Sequence, residues 1–202
     1  MHYDARRNDH GLPHDPFKAL VAPRPIGWIS TVDAKGQANL APYSYFNAIC
    51  DKPHLVMFSS MGRKDTLSNI EATGAFVCNL ATYALREAVN MTSAPAPHGV
   101  SEFELAGLVP APSVAVAPPR VAQAPVALEC ELVRVLPLTD AAGAPARYTA
   151  AIGEVVHIHI DDAIIRDGIV DLAAAGAIAR CGYRQYAHVD SLFEMKRPDY
   201  RS

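Results

Sequence analysis

Val126 to Leu136 alternates along its length, with Leu128, Cys130 and Leu132 set against Glu129 and Glu131. That period of two is the mark of a strand with one face buried. Tyr148 to Ile160 predicts a second long strand, and Asp140 to Ala144, with Gly143, predicts the connection between them. Near the start, Ile26 to Val32 reads as a strand, Asp33-Ala34-Lys35-Gly36 as a hairpin turn, and Gln37 to Ala41 as its antiparallel return. His54 to Ser60 has a continuous apolar centre, which predicts a strand buried on both faces, and Ala75 to Leu80 predicts another strand.

Between these runs the period changes. Asp15 as N-cap, with Pro16 at the first helical position, predicts a short helix that ends before Pro23-Arg24-Pro25. Thr66 to Thr73 places Leu67 and Ile70 on one face of a helix that Asp65 would cap. Tyr83 to Met91 predicts a further helix, while Leu172 to Ala179 fits strand or helix. Thr92 to Gln123 is rich in Pro and Ala and low in charge, an extended loop with one helical turn near Ser101 to Leu105. Antiparallel strands joined by hairpins and punctuated by short helices predict a β-barrel with peripheral helices.

Composition narrows the function classes. Half of the 202 residues are hydrophobic, and a globular chain of this size buries roughly 70% of the surface its unfolded state exposes. One domain over residues 1–202 is expected, with residues 1–12 as a polar, flexible arm. The 18 basic and 21 acidic residues are dispersed and give a net charge of -3, so a nucleic-acid footprint is not expected. Apolar runs such as Leu55 to Phe58 are too short to span a bilayer, and the polar first residues lack the apolar stretch of a signal peptide. A cytoplasmic location is therefore expected, with no membrane partner. Cys50, Cys78, Cys130 and Cys181 show no paired or zinc-type spacing and read as buried, reduced thiols.

Arg63-Lys64-Asp65-Thr66 is the most informative cluster. It follows the strand ending in Ser59-Ser60 and opens a helix, where unpaired N–H groups and partial positive charge favour an anion. Arg63 adds a donor fork suited to phosphate, Lys64 a point charge, and the two serines and Thr66 hydroxyl donors. Taken alone, the cluster also fits a charged surface turn. Upstream, Asn39-Leu40-Ala41-Pro42-Tyr43-Ser44-Tyr45-Phe46-Asn47 gathers amides, hydroxyls and aromatics in one strand and the loop after it. A flavin ring, polar at its edge and apolar on its faces, needs both kinds of contact, although the aromatics fit a core equally well. His157 and His159 have the spacing that sets two side chains on one strand face. With no third or fourth ligand marked, they read as solvated histidines on an outer face, and no metal site is expected.

Taken in order, these stretches resemble the flavin reductase-like family of FMN-binding split-barrel proteins, which includes flavoredoxin. The matching segments are Arg24-Pro25-Ile26-Gly27-Trp28-Ile29-Ser30-Thr31, Asn39 through Asn47, and Arg63 through Thr66 with Asn69-Ile70. Glu102 through Leu108, Pro119-Arg120-Val121, Pro125 through Cys130, Gly153 through Val156, and Arg180-Cys181-Gly182-Tyr183 through Tyr186 follow. The resemblance implies a six-stranded antiparallel split β-barrel, a homodimer, and FMN near the subunit interface. It implies that Arg63, Lys64, Asp65 and Thr66 face the phosphate with Ser59 and Ser60 close by. It further implies that Ser30, Thr31, Ser44, Tyr45 and Asn47 line the flavin ring.

The activity implied is hydride transfer from NAD(P)H to flavin, with an oxygenase or another redox protein as partner. A non-enzymatic FMN electron carrier and a flavin-binding module without reductase activity are the alternatives. The chain has no G-x-G-x-x-G after a strand and no P-loop, so no Rossmann domain is expected to hold the nicotinamide cofactor. Hydride transfer asks for positioning, with the reacting atoms roughly 3–3.5 Å apart, and no general acid or base is assigned.

Overall fold

The computed structural model describes residues 1–97 and 99–200. Seven strands form one antiparallel sheet: β1 (Gly27–Val32), β2 (Ala38–Tyr43), β3 (Phe46–Asp51), β4 (His54–Met61), β5 (Ala75–Leu80), β6 (Val126–Thr139) and β7 (Pro145–Ile160). Their order across the sheet is β2-β1-β5-β6-β7-β4-β3. The two outermost strands, β2 and β3, are joined by only Ser44 and Tyr45. The sheet must therefore curl until its edges meet at that corner. The tie is partly hydrogen-bonded, since Ser59 N–H donates to Tyr45 C=O at 2.8 Å.

The count is seven strands where six were expected. The addition is Phe46–Asp51, an edge strand whose residues are mostly exposed, so that no buried alternation announces it. His54–Met61 alternates between buried and more open positions, so it is covered on one face rather than two. The strand buried throughout is β1. Its Ile29 enters an apolar cluster with Phe58, Phe76 and Cys130, and α2 (Asp65–Thr73) adds Leu67 and Ile70 to it. Its Trp28 enters a second cluster with Leu40, Val89, Phe103 and Val121. Successive side chains of a strand point to opposite faces, so β1 divides the two clusters. Gly153 permits close approach within the first one: a Cβ there would lie 2.4 Å from Phe76 Cζ.

The helices are α1 (Phe17–Leu20), α2, α3 (Arg86–Met91), α4 (Glu102–Leu105) and α5 (Leu172–Ala175). Asp15 does not cap α1, because Pro16 occupies that position; its carboxylate instead accepts from Phe17 N–H at 2.9 Å. Asp65 likewise lies inside the first turn of α2, with Lys64 at the N-cap. The stretch Leu172 to Ala179 is both things in turn, α5 and then the short strand Ile178–Arg180. Among the described residues no helix is long and apolar enough to cross a membrane. All four cysteines are free; Cys78 and Cys130 are buried, whereas Cys50 and Cys181 are only half-buried.

The long Pro/Ala-rich connection is held down by buried polar side chains, since its backbone has few ladder bonds of its own. Asn79 accepts from Val121 N–H at 2.7 Å, and Ser30 donates to Pro119 C=O at 2.5 Å. Glu129 is wholly buried and accepts from the N–H groups of Val114 (2.8 Å), Ala115 (2.6 Å) and Val116 (3.2 Å). His159 Nε2 lies 2.5 Å from its Oε1. His157 and His159 are thus half-buried beside a carboxylate, not solvated on an open face.

Burial alone would raise the Glu129 pKa, but the bonds from His159 and the three amides outweigh it and lower the value from 4.5 to about 2. A depressed carboxylate pKa stabilises the fold above its unfolded value, and that contribution, about 3 kcal/mol here, disappears as pH falls from about 4.5 to about 2. Glu129→Gln is therefore expected to lower the melting temperature clearly at pH 7. The gap to wild type should narrow as pH approaches 2. A gap that stayed constant between pH 7 and pH 3 would contradict this role.

Candidate functional site: a cationic, tyrosine-lined cleft at the sheet corner

The Ser44–Tyr45 corner, the N-terminus of α2, and the segment after α3 face one another. A small sheet of Arg24–Pro25, Ile178–Arg180 and Tyr186–His188 lies beside them. Between these elements runs a cleft of two compartments, about 400 and 360 Å³, both lined by Pro42, Tyr43, Lys64 and Ser93. Each lies within the range of about 300–1,000 Å³ typical of small-ligand sites.

The first compartment is lined by Arg24, Arg180, Lys18 and Lys64 and, among the described residues, by no carboxylate. Tyr45 and Tyr148 line it too, their ring centroids 5.3 Å apart. Arg24 is buried because its guanidinium ties α1 to the C-terminal small sheet, donating from Nη1 to Lys18 C=O at 2.5 Å and from Nη2 to Cys181 C=O at 3.0 Å. Its Nε makes no hydrogen bond among the described residues.

The second compartment contains the start of α2 with Lys64, Asp65 and Thr66, faced by Asn39 and Glu102. The first turn of a helix presents N–H groups and partial positive charge. Glu102 is held in place by accepting from Asn39 Nδ2 and Leu40 N–H, both at 3.0 Å. Thr66 Oγ1 donates to Asn39 Oδ1 at 2.8 Å.

Tyr43 stands where the compartments join. Its side chain is buried, and among the described residues its hydroxyl makes no hydrogen bond of normal geometry, although the Thr66 and Ser60 hydroxyls lie beside it. Burial raises its pKa above 10, and the neighbouring Thr66 and Ser60 hydroxyls pull the other way. Those hydroxyls donate elsewhere, Thr66 to Asn39 and Ser60 to Gly62 C=O. A buried polar group without a partner is rare and costly. Two of them, Tyr43 Oη and Arg24 Nε, belong to residues lining one cleft.

Of the residues singled out in the sequence, Ser44, Tyr45, Ser59, Lys64, Asp65 and Thr66 line the cleft. Arg63 does not: it is exposed and its guanidinium pairs with Glu71. Ser30 is buried in the bonds to Pro119 and Asn79, and Thr31 in those to Asn39 and Asn69. Ser60 is buried beneath the site, and Asn47 is exposed on β3, where its Oδ1 accepts from Ala48 N–H. Arg24, Arg180, Tyr148, Tyr183 and Tyr186 also line the cleft and were not singled out in the sequence. Their only sequence signal is that Arg24 and Arg180 through Tyr186 lie in segments carrying the family resemblance.

Chemically, this cleft can take a flat aromatic ligand that carries an anion: tyrosines cover faces, and cations and a helix N-terminus meet the charge. The curled antiparallel sheet with such a cleft at its corner defines the class of protein. Residues 20–172 match the model of the flavin reductase like domain, and the chain belongs to that family. It is 35% identical over 184 residues to an uncharacterized protein of Halalkalibacterium halodurans, covering 88% of this chain and 87% of that one. Among solved structures it is similar to nitrilotriacetate monooxygenase component B from Bacillus cereus, with 31% identity, a TM-score of 0.86, and coverage of 96% and 98%. Flavoredoxin of Desulfovibrio vulgaris (Miyazaki F) shares the fold at 22% identity and a TM-score of 0.77, with coverage of 87% and 91%.

Proposed function

We propose that the chain binds FMN across the two compartments and is an NAD(P)H-dependent flavin reductase. The observation that carries this reading is the cationic, tyrosine-lined cleft, two of whose lining residues, Tyr43 and Arg24, keep a buried polar atom without a hydrogen bond among the described residues. FMN fits this donor set: it offers an anionic phosphate, a hydroxylated chain and a flat ring with acceptors along one edge. Bound FMN would supply the hydride-accepting ring. Lys64, Thr66 and the first turn of α2 would hold the phosphate, Tyr43 would donate at the junction, and Ser44, Tyr45 and Ser59 would orient the ring. Asp65 would shape the phosphate end through the backbone of that turn. No side chain is assigned as acid or base, because the cofactor carries the chemistry.

The similarity to a component of a monooxygenase supports an oxygenase as the recipient of reduced flavin. A homodimer is part of the same reading. Val156, Ile158 and Ile160 leave apolar side chains exposed along β7, and a two-fold pairing is the commonest way to cover such a strip. Light scattering at low micromolar concentration should give twice the chain mass, and a monomer that retains FMN would exclude a shared site.

The decisive test is anaerobic stopped-flow mixing of the FMN-loaded protein with NADH and with NADPH. Bleaching of the flavin absorbance by either nucleotide is the expected result. Flavin that stays oxidised with both would end the reductase reading in favour of an electron carrier reduced by a protein partner.

A further inference from the structure

Away from the cleft, three potential metal ligands converge on one face of the sheet. Glu129 on β6 stands directly opposite His157 on β7. His159 lies two residues further along the same strand, and alternation brings it to the same side. One ligand atom from each of the three lies within 4.8 Å of the other two. The imidazole rings of His157 and His159 meet edge-on with centroids 4.9 Å apart.

We propose that Glu129, His157 and His159 form a binding site for a divalent transition-metal ion, of which zinc is the best match. Two imidazoles and a carboxylate with a position left for water are a donor set that zinc uses. Carboxylate ligands are typically oriented by hydrogen bonds from outside the metal sphere. Glu129 has that support already: Ala115 and Val116 N–H hold Oε2, and Val114 N–H takes one side of Oε1. The other side of Oε1 faces His159 Nε2 at 2.5 Å. An ion would replace the hydrogen shared there, with the two donors moving slightly apart to admit it. A simple carboxylate–imidazole bond accounts for His159 but not for His157. The latter makes no hydrogen bond among the described residues although it is half-buried beside the pair. Both histidines stay open enough for an ion to enter, and His159 keeps 21% of its side chain exposed.

The test is calorimetric titration of Zn²⁺ into the full chain after chelator treatment, with Co²⁺ absorbance as a second readout. Saturable binding of one ion per chain is expected. His157→Ala and His159→Ala should each weaken it by at least about ten-fold and remove the visible bands of bound Co²⁺, with the FMN content unchanged. Glu129→Gln should do the same, but it also releases the Val114–Val116 backbone, so the two histidine variants carry the decision. No saturable binding in the wild type would overturn the proposal. So would Zn²⁺ affinity unaffected by both histidine substitutions, which would put the ion elsewhere, for example on His2, His10 and His14 of the N-terminal segment.

Discussion

Replacing Lys64 with alanine is expected to weaken FMN binding roughly ten- to a hundred-fold, whereas replacing Arg63 should change it little. The two residues are adjacent and both cationic, so the sequence treats them alike. The structure separates them. Lys64 is the N-cap of α2 and lines both compartments. Arg63 points outward to Glu71. A charge-assisted contact to phosphate contributes about 1.5–3 kcal/mol, which sets the magnitude for Lys64. A solvent-exposed ion pair contributes only about 0–1 kcal/mol, so losing the Arg63 pair should barely register. Riboflavin, which lacks the phosphate, should bind the Lys64 variant almost as well as it binds wild type. Fluorescence titrations of both ligands against both variants would check this. Equal losses for FMN and riboflavin in Lys64→Ala would mean that the lysine is not at the phosphate. A large FMN loss in Arg63→Ala would mean that the guanidinium leaves Glu71 when ligand arrives.

That contrast shows where the sequence is legible. β6 and β7 are visible because one face of each is apolar and the other polar, and the Asp33–Gly36 turn because Asp33 accepts from Lys35 and Gln37 N–H while Gly36 takes a φ of 84°. β3 is hidden because an edge strand with exposed side chains has no apolar face to repeat. The same limit applies to the site. Which side of the chain Arg63 and Lys64 face depends on where α2 begins, and the one-residue shift from Asp65 as cap to Lys64 as cap is beyond what propensity resolves. Ser30 and Thr31 look like ligand donors until the long connection and Asn69 are folded against them. Arg24 and Arg180 meet only because Arg24–Pro25 pairs with Ile178–Arg180 across more than 150 residues of chain. Glu129 and His159, 30 residues apart, are neighbours through the register of β6 and β7 and a bulge between them.

Tyr43→Phe is expected to move stability and ligand binding in opposite directions. The Tyr43 hydroxyl is buried without a hydrogen bond among the described residues. Such a group carries a desolvation penalty of about 1–3 kcal/mol, and removing it while keeping the ring should recover part of that. The ring itself is needed, because it packs at 4.6 Å from Phe58 in the first apolar cluster, and phenylalanine preserves that contact. The flavin-free variant should therefore melt at or above the wild-type temperature. If the hydroxyl donates to FMN at the junction of the compartments, the same substitution should weaken FMN by roughly ten-fold, the value of one buried hydrogen bond of about 1.4 kcal/mol. FMN would then raise the melting temperature of wild type more than that of the variant, since ligand stabilisation grows with affinity. Differential scanning fluorimetry with and without FMN measures both effects in one experiment. A variant that is less stable without ligand would show that the hydroxyl is already bonded, most plainly to Thr66 or Ser60. A variant with unchanged FMN affinity would remove Tyr43 from the ligand contacts.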